Sequence, residues 1–262
     1  MSFENITVKV EGPLATLTIK RPEQLNALNR QTVGEFECAL DGLAAEDSVR
    51  CVLVTGSGEK AFVAGADIGE LREAAGDSAA ARELASYGQE VFAKLEGLGC
   101  PSVAMINGFA LGGGLELALA CTLRTASSTA RLGLPEVSLG IIPGYGGTQR
   151  LARIAGPAVA REWVLTGDMF SAEEAHRVGV VNRVFAPEQL LEGTLKMIDT
   201  ISSRGPIALQ LGMQAIHRGQ DMSLAEGQEM EADMFSKAST TEDMREGMTA
   251  FLEKRRPEFK GR

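Results

Sequence analysis

Two histidines and four cysteines in 262 residues leave little from which to build a metal centre or a disulfide framework. His176 and His217 stand apart among helix-forming residues, without the clustered ligands that zinc requires, so no metal is expected. Cys38, Cys51, Cys100 and Cys121 never form a Cys-x-x-Cys pair and read as buried thiols. No apolar run approaches the ~18 residues of a spanning helix, so no membrane partner is expected. The start, Met1 to Asn5, has neither a basic residue leading into an apolar stretch nor the arginines of a transit peptide, and a cytoplasmic location is the expectation. Basic excess is also missing. With 26 Lys and Arg against 35 Asp and Glu, the net charge of −9 repels the phosphates that nonspecific nucleic-acid binders attract, so no nucleic-acid partner is expected.

What is present is an ordinary globular composition, 44% hydrophobic and 23% charged, in a chain long enough for a sizeable core. Short β-rich runs at Ile6–Val10, Ala15–Lys20, Cys51–Thr55, Ser102–Ile106 and Thr122–Ala126 alternate with longer helical stretches, which predicts an α/β fold. Two segments share a plan of apolar strand, glycine-bearing loop and helix: Val52 to Asp67, and Val103 into Gly112-Gly113-Gly114. After about residue 190 only helical patterns follow, at 190–203, 206–218, 223–238 and 241–256. The expected division is a core with the active site over 1–190 and a helical region over 191–262.

Three segments carry chemistry. In Gly112-Gly113-Gly114-Leu115-Glu116 the glycines precede an apolar helix, whose first N–H groups lack intrahelical acceptors and favour an anion. Glu116 follows Gly113 by three residues and shares its helix face. The alternative is that the glycines serve tight packing and Glu116 is a paired surface charge. Glu136, in Gly133-Leu134-Pro135-Glu136-Val137, has apolar neighbours that favour its protonated form, a general acid beside a better hydrated base; alternatively it is a helix-start glutamate. A second glycine-rich turn, Pro143-Gly144-Tyr145-Gly146-Gly147, leads into another helix. At the chain's end, Glu253-Lys254-Arg255-Arg256 is either a phosphate contact or a set of cations at a helix C-terminus.

Together these segments resemble the crotonase, or enoyl-CoA hydratase/isomerase, superfamily. Arg21 to Leu28 is similar to its early motif, Ala61 to Ile68 to its first oxyanion and CoA-adenine loop, Ile106 to Leu117 to its second, and Gly133 to Arg150 to its second-carboxylate region. Leu165-Thr166-Gly167, Gly179 to Asn182 and Phe251 to Pro257 match later landmarks. The resemblance implies a spiral of ββα turns followed by a C-terminal helical trimerisation region, assembled as a trimer or dimer of trimers. It implies a thioester oxygen held by the N–H groups of Ala64 and Gly113, and an acyl-CoA bound along Ala66, Asp67, Ile68, Gly144 and Lys254. No cofactor is implied, because coenzyme A is part of the substrate. Both hydratase carboxylate positions are filled, by Glu116 and Glu136, which implies reversible hydration of a 2-enoyl-CoA to a 3-hydroxyacyl-CoA. Two departures stand out: Leu134 where several hydratases carry glutamine, and Thr122 where an aspartate is frequent. The Ala- and Gly-rich stretch between Ile68 and Pro101 is expected to line or cover the acyl pocket.

Three rival readings remain. Gly56-Ser57-Gly58, with Asp77 further on, loosely resembles a dinucleotide loop, which requires a helix to begin within the glycines. An enoyl-CoA isomerase needs a proton shuttle without an attacking water. An RNA-binding member of the superfamily requires a lysine-rich helix, whereas residues 70–96 are acidic.

Overall fold

The computed structural model describes residues 3–262. The chain opens with an antiparallel hairpin, β1 (Ile6–Glu11) and β2 (Leu14–Ile19), whose turn holds Gly12 at φ 58°. Every second residue of β2 is buried, as a half-covered strand requires. Helix α1 (Arg30–Ala44) follows, capped by the Asn29 side chain, which accepts from the Thr32 N–H at 2.8 Å.

Three turns then repeat one plan. The first is β3 (Cys51–Gly56), β4 (Ala61–Val63), α2 (Ile68–Glu73) and α3 (Ser78–Glu96). The second is β5 (Ser102–Ile106), β6 (Phe109–Leu111) and α4 (Gly113–Ala120). The third is β7 (Leu123–Ser127), β8 (Arg131–Gly133), a 3₁₀ turn at Pro135–Leu139, and α5 (Gly147–Thr166). The first strand of each turn enters a six-stranded sheet and the second enters a four-stranded one. β9 (Phe170–Ser171), α6 (Ala172–Arg177) and β10 (Arg183–Phe185) complete both, giving the orders β1-β2-β3-β5-β7-β10 and β4-β6-β8-β9. Equivalent strands of successive turns pair in parallel, so the chain advances as the expected ββα spiral.

Close crossings inside the spiral explain several glycines. A methyl on Gly56 would lie 2.1 Å from the Phe62 carbonyl oxygen, so this residue serves the β3–β4 crossing. The chain passes there directly into β4, and no helix begins within Gly56 to Gly58, which removes the dinucleotide-loop reading. Of the thiols, Cys51 and Cys121 are buried and Cys100 is half-buried, but Cys38 is exposed on α1, contrary to expectation.

Four helices end the chain: α7 (Leu190–Ser202), α8 (Pro206–Gly219), α9 (Leu224–Ser239) and α10 (Glu242–Glu253). α7 seats on the large sheet through Ile198 and through Thr194, whose hydroxyl meets that of Thr125 at 2.8 Å. α8 to α10 bury almost nothing, leaving Leu224, Phe235, Phe251 and Leu252 more than 70% exposed. Among the described residues no helix is long and apolar enough to cross a membrane.

Candidate active site

A cavity of about 1,110 Å³ opens between the α2–α3 segment and the Leu139–Tyr145 stretch. The Ala- and Gly-rich stretch therefore lines it, as expected. Gly112, Gly113, Glu116 and Glu136 form part of its wall, which brings together the two sequence-predicted carboxylates.

The triple glycine resolves into three separate roles. A methyl on Gly114 would sit 1.9 Å from the Val63 carbonyl oxygen, so this residue lets α4 rest directly on β4. Gly112 takes φ 50°, and the Glu136 carboxylate lies over it, 2.8 Å from where a methyl would stand. Gly113 opens the helix, facing the Ala66 nitrogen and the Tyr145 ring, each 3.4 Å from a methyl placed there. Of the alternatives in the sequence, tight packing is the role of Gly114, while Gly113 borders the cavity. At the far end of α4 the buried Arg124 guanidinium donates to the carbonyls of Cys121 at 2.6 Å and Ala118 at 3.3 Å, which anchors that end.

Glu116 is no surface charge: it is 2% exposed. Its Oε1 accepts from the Tyr145 N–H at 2.8 Å and the Gly147 N–H at 2.6 Å, leaving Oε2 free of both. Burial pushes its pKa up to about 7, opposed by these two N–H groups, with Glu136 raising it further. Glu136, on the 3₁₀ turn, is less buried, and desolvation pushes its pKa up to about 6. Sequence had made Glu136 the desolvated partner; the structure desolvates both, Glu116 more deeply. Leu134, itself fully buried, presents an apolar wall, and Glu136 Oε2 is buried without a hydrogen-bond partner among the described residues.

The loop that grips Glu116 is held by Arg150 on α5. Its guanidinium pairs with Glu96 on α3 at 2.9 and 2.6 Å and donates to the Tyr145 carbonyl at 2.7 Å. Gly146, at φ 103°, makes room for it, since a methyl there would lie 2.4 Å from Nη1. These positioning residues escaped the sequence reading, although Gly144 to Arg150 marked the segment.

Ala64 requires correction. Its N–H donates to the Leu25 carbonyl at 3.1 Å, so it is not a free donor. A parallel bridge between Leu28 and Ala66 uses the Gly65 carbonyl and the Asp67 N–H, both at 2.8 Å, and turns the Ala66 N–H away from it. That N–H faces Gly113. The backbone nitrogens that border the cavity side by side are those of Ala66 and Gly113, whereas Ala66 is expected from the sequence only along the bound acyl-CoA.

Asp67 braces this loop: one carboxylate oxygen caps α2 at Gly69 N, 3.0 Å away, and the other pairs with Arg21 at 3.2 Å. Ile68 lines the cavity and stays 57% exposed, and Gly144 lines it with its carbonyl accepting from Gln89 at 2.7 Å. Lys254 lies apart from the other expected contacts. It terminates α10 in the left-handed region and is absent from the cavity wall, while Arg255 beside it is bound to Glu246 and Glu253.

A spiral of ββα turns that sets two desolvated carboxylates beside paired backbone N–H groups is the framework of an acid–base enzyme of the crotonase fold. Comparison with known proteins agrees. A family model described as enoyl-CoA hydratase/isomerase matches residues 9–262. The chain is 44% identical to a crotonyl-CoA hydratase of Syntrophomonas wolfei, covering 99% of each. It is 43% identical to a short-chain-enoyl-CoA hydratase of Clostridium acetobutylicum, covering 100% of each. A crystal structure of an enoyl-CoA hydratase from Bacillus anthracis superposes with a TM-score of 0.93 at 40% identity, covering 99% of this chain and 100% of that one. The chain belongs to the enoyl-CoA hydratase/isomerase family.

Proposed function

We propose that this protein adds water reversibly across the 2,3 double bond of a 2-enoyl-CoA thioester, giving the 3-hydroxyacyl-CoA. The observation that carries the reading is the pair Glu116 and Glu136, both desolvated, in one cavity with the Ala66 and Gly113 N–H groups. The thioester oxygen sits between those two donors. Water attacks C3, the electron pair moves through C2 and the carbonyl onto the thioester oxygen, and the enolate is held by the donors. Loss of one such donor typically lowers turnover about 10²–10³-fold.

Glu116 acts as base. Its Oε1 is locked by two N–H groups that favour the ionised form, and Oε2 takes the proton from water as the oxygen bonds to C3. Glu136 gives its proton to C2 as the enolate collapses, and its unpartnered Oε2 suits that transfer. Dehydration reverses both transfers. A double-bond isomerase needs one group to carry a proton between carbons and has no use for a water-holding carboxylate, so the second glutamate favours hydration.

Backbone around Ala66, Asp67 and Ile68 receives the adenine, with Ala66 serving both ends of that loop. The core over 1–190 carries the chemistry, and the helical region over 191–262 carries contacts between copies in a trimer or dimer of trimers; the exposed Phe235, Phe251 and Leu252 support this. Lys254 reaches a phosphate only if assembly brings it to another copy's cavity. The protein acts in the cytoplasm. The test is loss of the conjugated-thioester absorbance when purified protein meets crotonyl-CoA; no loss with crotonyl-CoA or longer enoyl-CoA thioesters refutes the hydratase reading.

A further inference from the structure

The cavity wall is uneven in a way that bears on which acyl groups enter. Along α3 its face mixes the small Ser78, Ala81 and Ala85 with the flexible side chains of Arg82, Leu84 and Gln89. Beside the reaction centre stands one large ring, Tyr145, only 6% exposed. Four contacts fix it. Its N–H is bound to Glu116 at 2.8 Å. One ring edge lies against Gly113, where a methyl would be 3.4 Å from Cδ2, and the other enters a gap at Gly88, where a methyl would be 2.3 Å from Cδ1. Behind it Phe92, 1% exposed, packs edge-on with ring centres 5.5 Å apart and planes at 83°. The ring has used all the room that Gly88 concedes and has no path of retreat.

We propose that the Tyr145 ring sets the upper length of the acyl group and is the specificity-determining residue of this cavity. The inference rests on the hydratase reading. With the thioester oxygen between Ala66 and Gly113 and C3 between the two glutamates, the CoA side leads toward the exposed Ile68 rim. Carbons beyond C3 lead the other way, toward the ring that touches both Gly113 and the Glu116 loop. A short enoyl chain ends before that wall and a longer one meets it. Because the Glu116 hydrogen bond comes from the backbone of residue 145, replacing the side chain alters the wall while keeping that donor.

The experiment measures kcat/KM of the full-length protein for crotonyl-CoA and for trans-octenoyl-CoA, by loss of thioester absorbance. The native protein is expected to prefer crotonyl-CoA. Tyr145→Ala is expected to raise the octenoyl-to-crotonyl ratio by about tenfold or more, the scale on which hydrophobic pockets discriminate chain length. Tyr145→Phe, which keeps the ring, leaves the ratio at its native value. Gly88→Ala drives the ring toward the reaction centre and lowers the ratio further. Should Tyr145→Ala fail to fold, Tyr145→Leu reads the same change. A native protein that hydrates both thioesters equally, or a folded, active Tyr145→Ala or Tyr145→Leu with an unchanged ratio, overturns this inference alone. A native protein inert toward both overturns it together with the hydratase reading.

Discussion

Glu116→Gln is expected to stabilise the protein while abolishing its activity, and the two effects share one cause. The buried carboxyl has its pKa pushed up from 4.5 to about 7. At about 1.4 kcal/mol per tenfold change in proton affinity, holding it ionised inside the fold costs roughly 3 kcal/mol. The raised folded value means that this stability is fully present below the unfolded pKa and is lost as pH rises through the folded one. The native protein therefore weakens between about pH 4.5 and 7. Glutamine keeps an oxygen to accept from Tyr145 and Gly147 and never ionises. Above pH 7 the variant should melt higher by about 6–12 °C, given ~2–4 °C per kcal/mol in a chain of this size. The gain should vanish near pH 4.5. Hydration should fall by about 10²–10⁴-fold, the usual worth of a positioned acid or base. Thermal melts of both proteins at pH 5 and pH 8, with crotonyl-CoA turnover beside them, are the assay. A variant less stable than the native protein at pH 8, or a stability gap that ignores pH, refutes the argument, as does near-native turnover.

Gly114→Ala forces a methyl to 1.9 Å from the Val63 carbonyl oxygen and should destabilise by about 3 kcal/mol, read as a lowered urea midpoint. Hydration should follow a bell in pH, because below about 6 both carboxyls are protonated and no base remains, and above about 7 both are ionised and no acid remains; between the limbs the pair shares one proton, held more on Glu116, and the active form is the minor one that carries it on Glu136. The limbs belong to the pair and appear in kcat/KM of the free enzyme. Arg150→Met frees the loop from Glu96 and removes a cation that favours ionised Glu116. It should lower kcat more than it changes KM and move the upper limb, near 7, further up; an unmoved limb denies Arg150 that role.

Much of this was legible in the chain. The strands of the large sheet in the spiral turns are five or six residues long, those of the first two turns mostly apolar, and the helices of the tail carry clear stops. The strands of the small sheet, Ala61–Val63, Phe109–Leu111 and Arg131–Gly133, are three residues each, too short for any periodicity, and exist because successive turns of the spiral stack them. At the site, residue identity was readable and orientation was not. Ala64 and Ala66 differ only in which neighbour claims the N–H, and Leu25, far back in sequence, makes that choice. The burial of Glu116 was hidden likewise, since the groups that enclose it come from the third turn. Lys254 is a cation whose identity was readable and whose place was not: the fold sets it at the end of α10, outside this chain's cavity wall.

Hydration of crotonyl-CoA in ¹⁸O-labelled water, followed by mass spectrometry of the product, shows whether the two glutamates together add water to C3. The native protein should place one labelled oxygen on the 3-hydroxyl, and Glu116→Gln and Glu136→Gln should both lose that incorporation. An unlabelled product, a shifted double bond without added oxygen, or full labelling by either variant contradicts a water addition shared between these two glutamates.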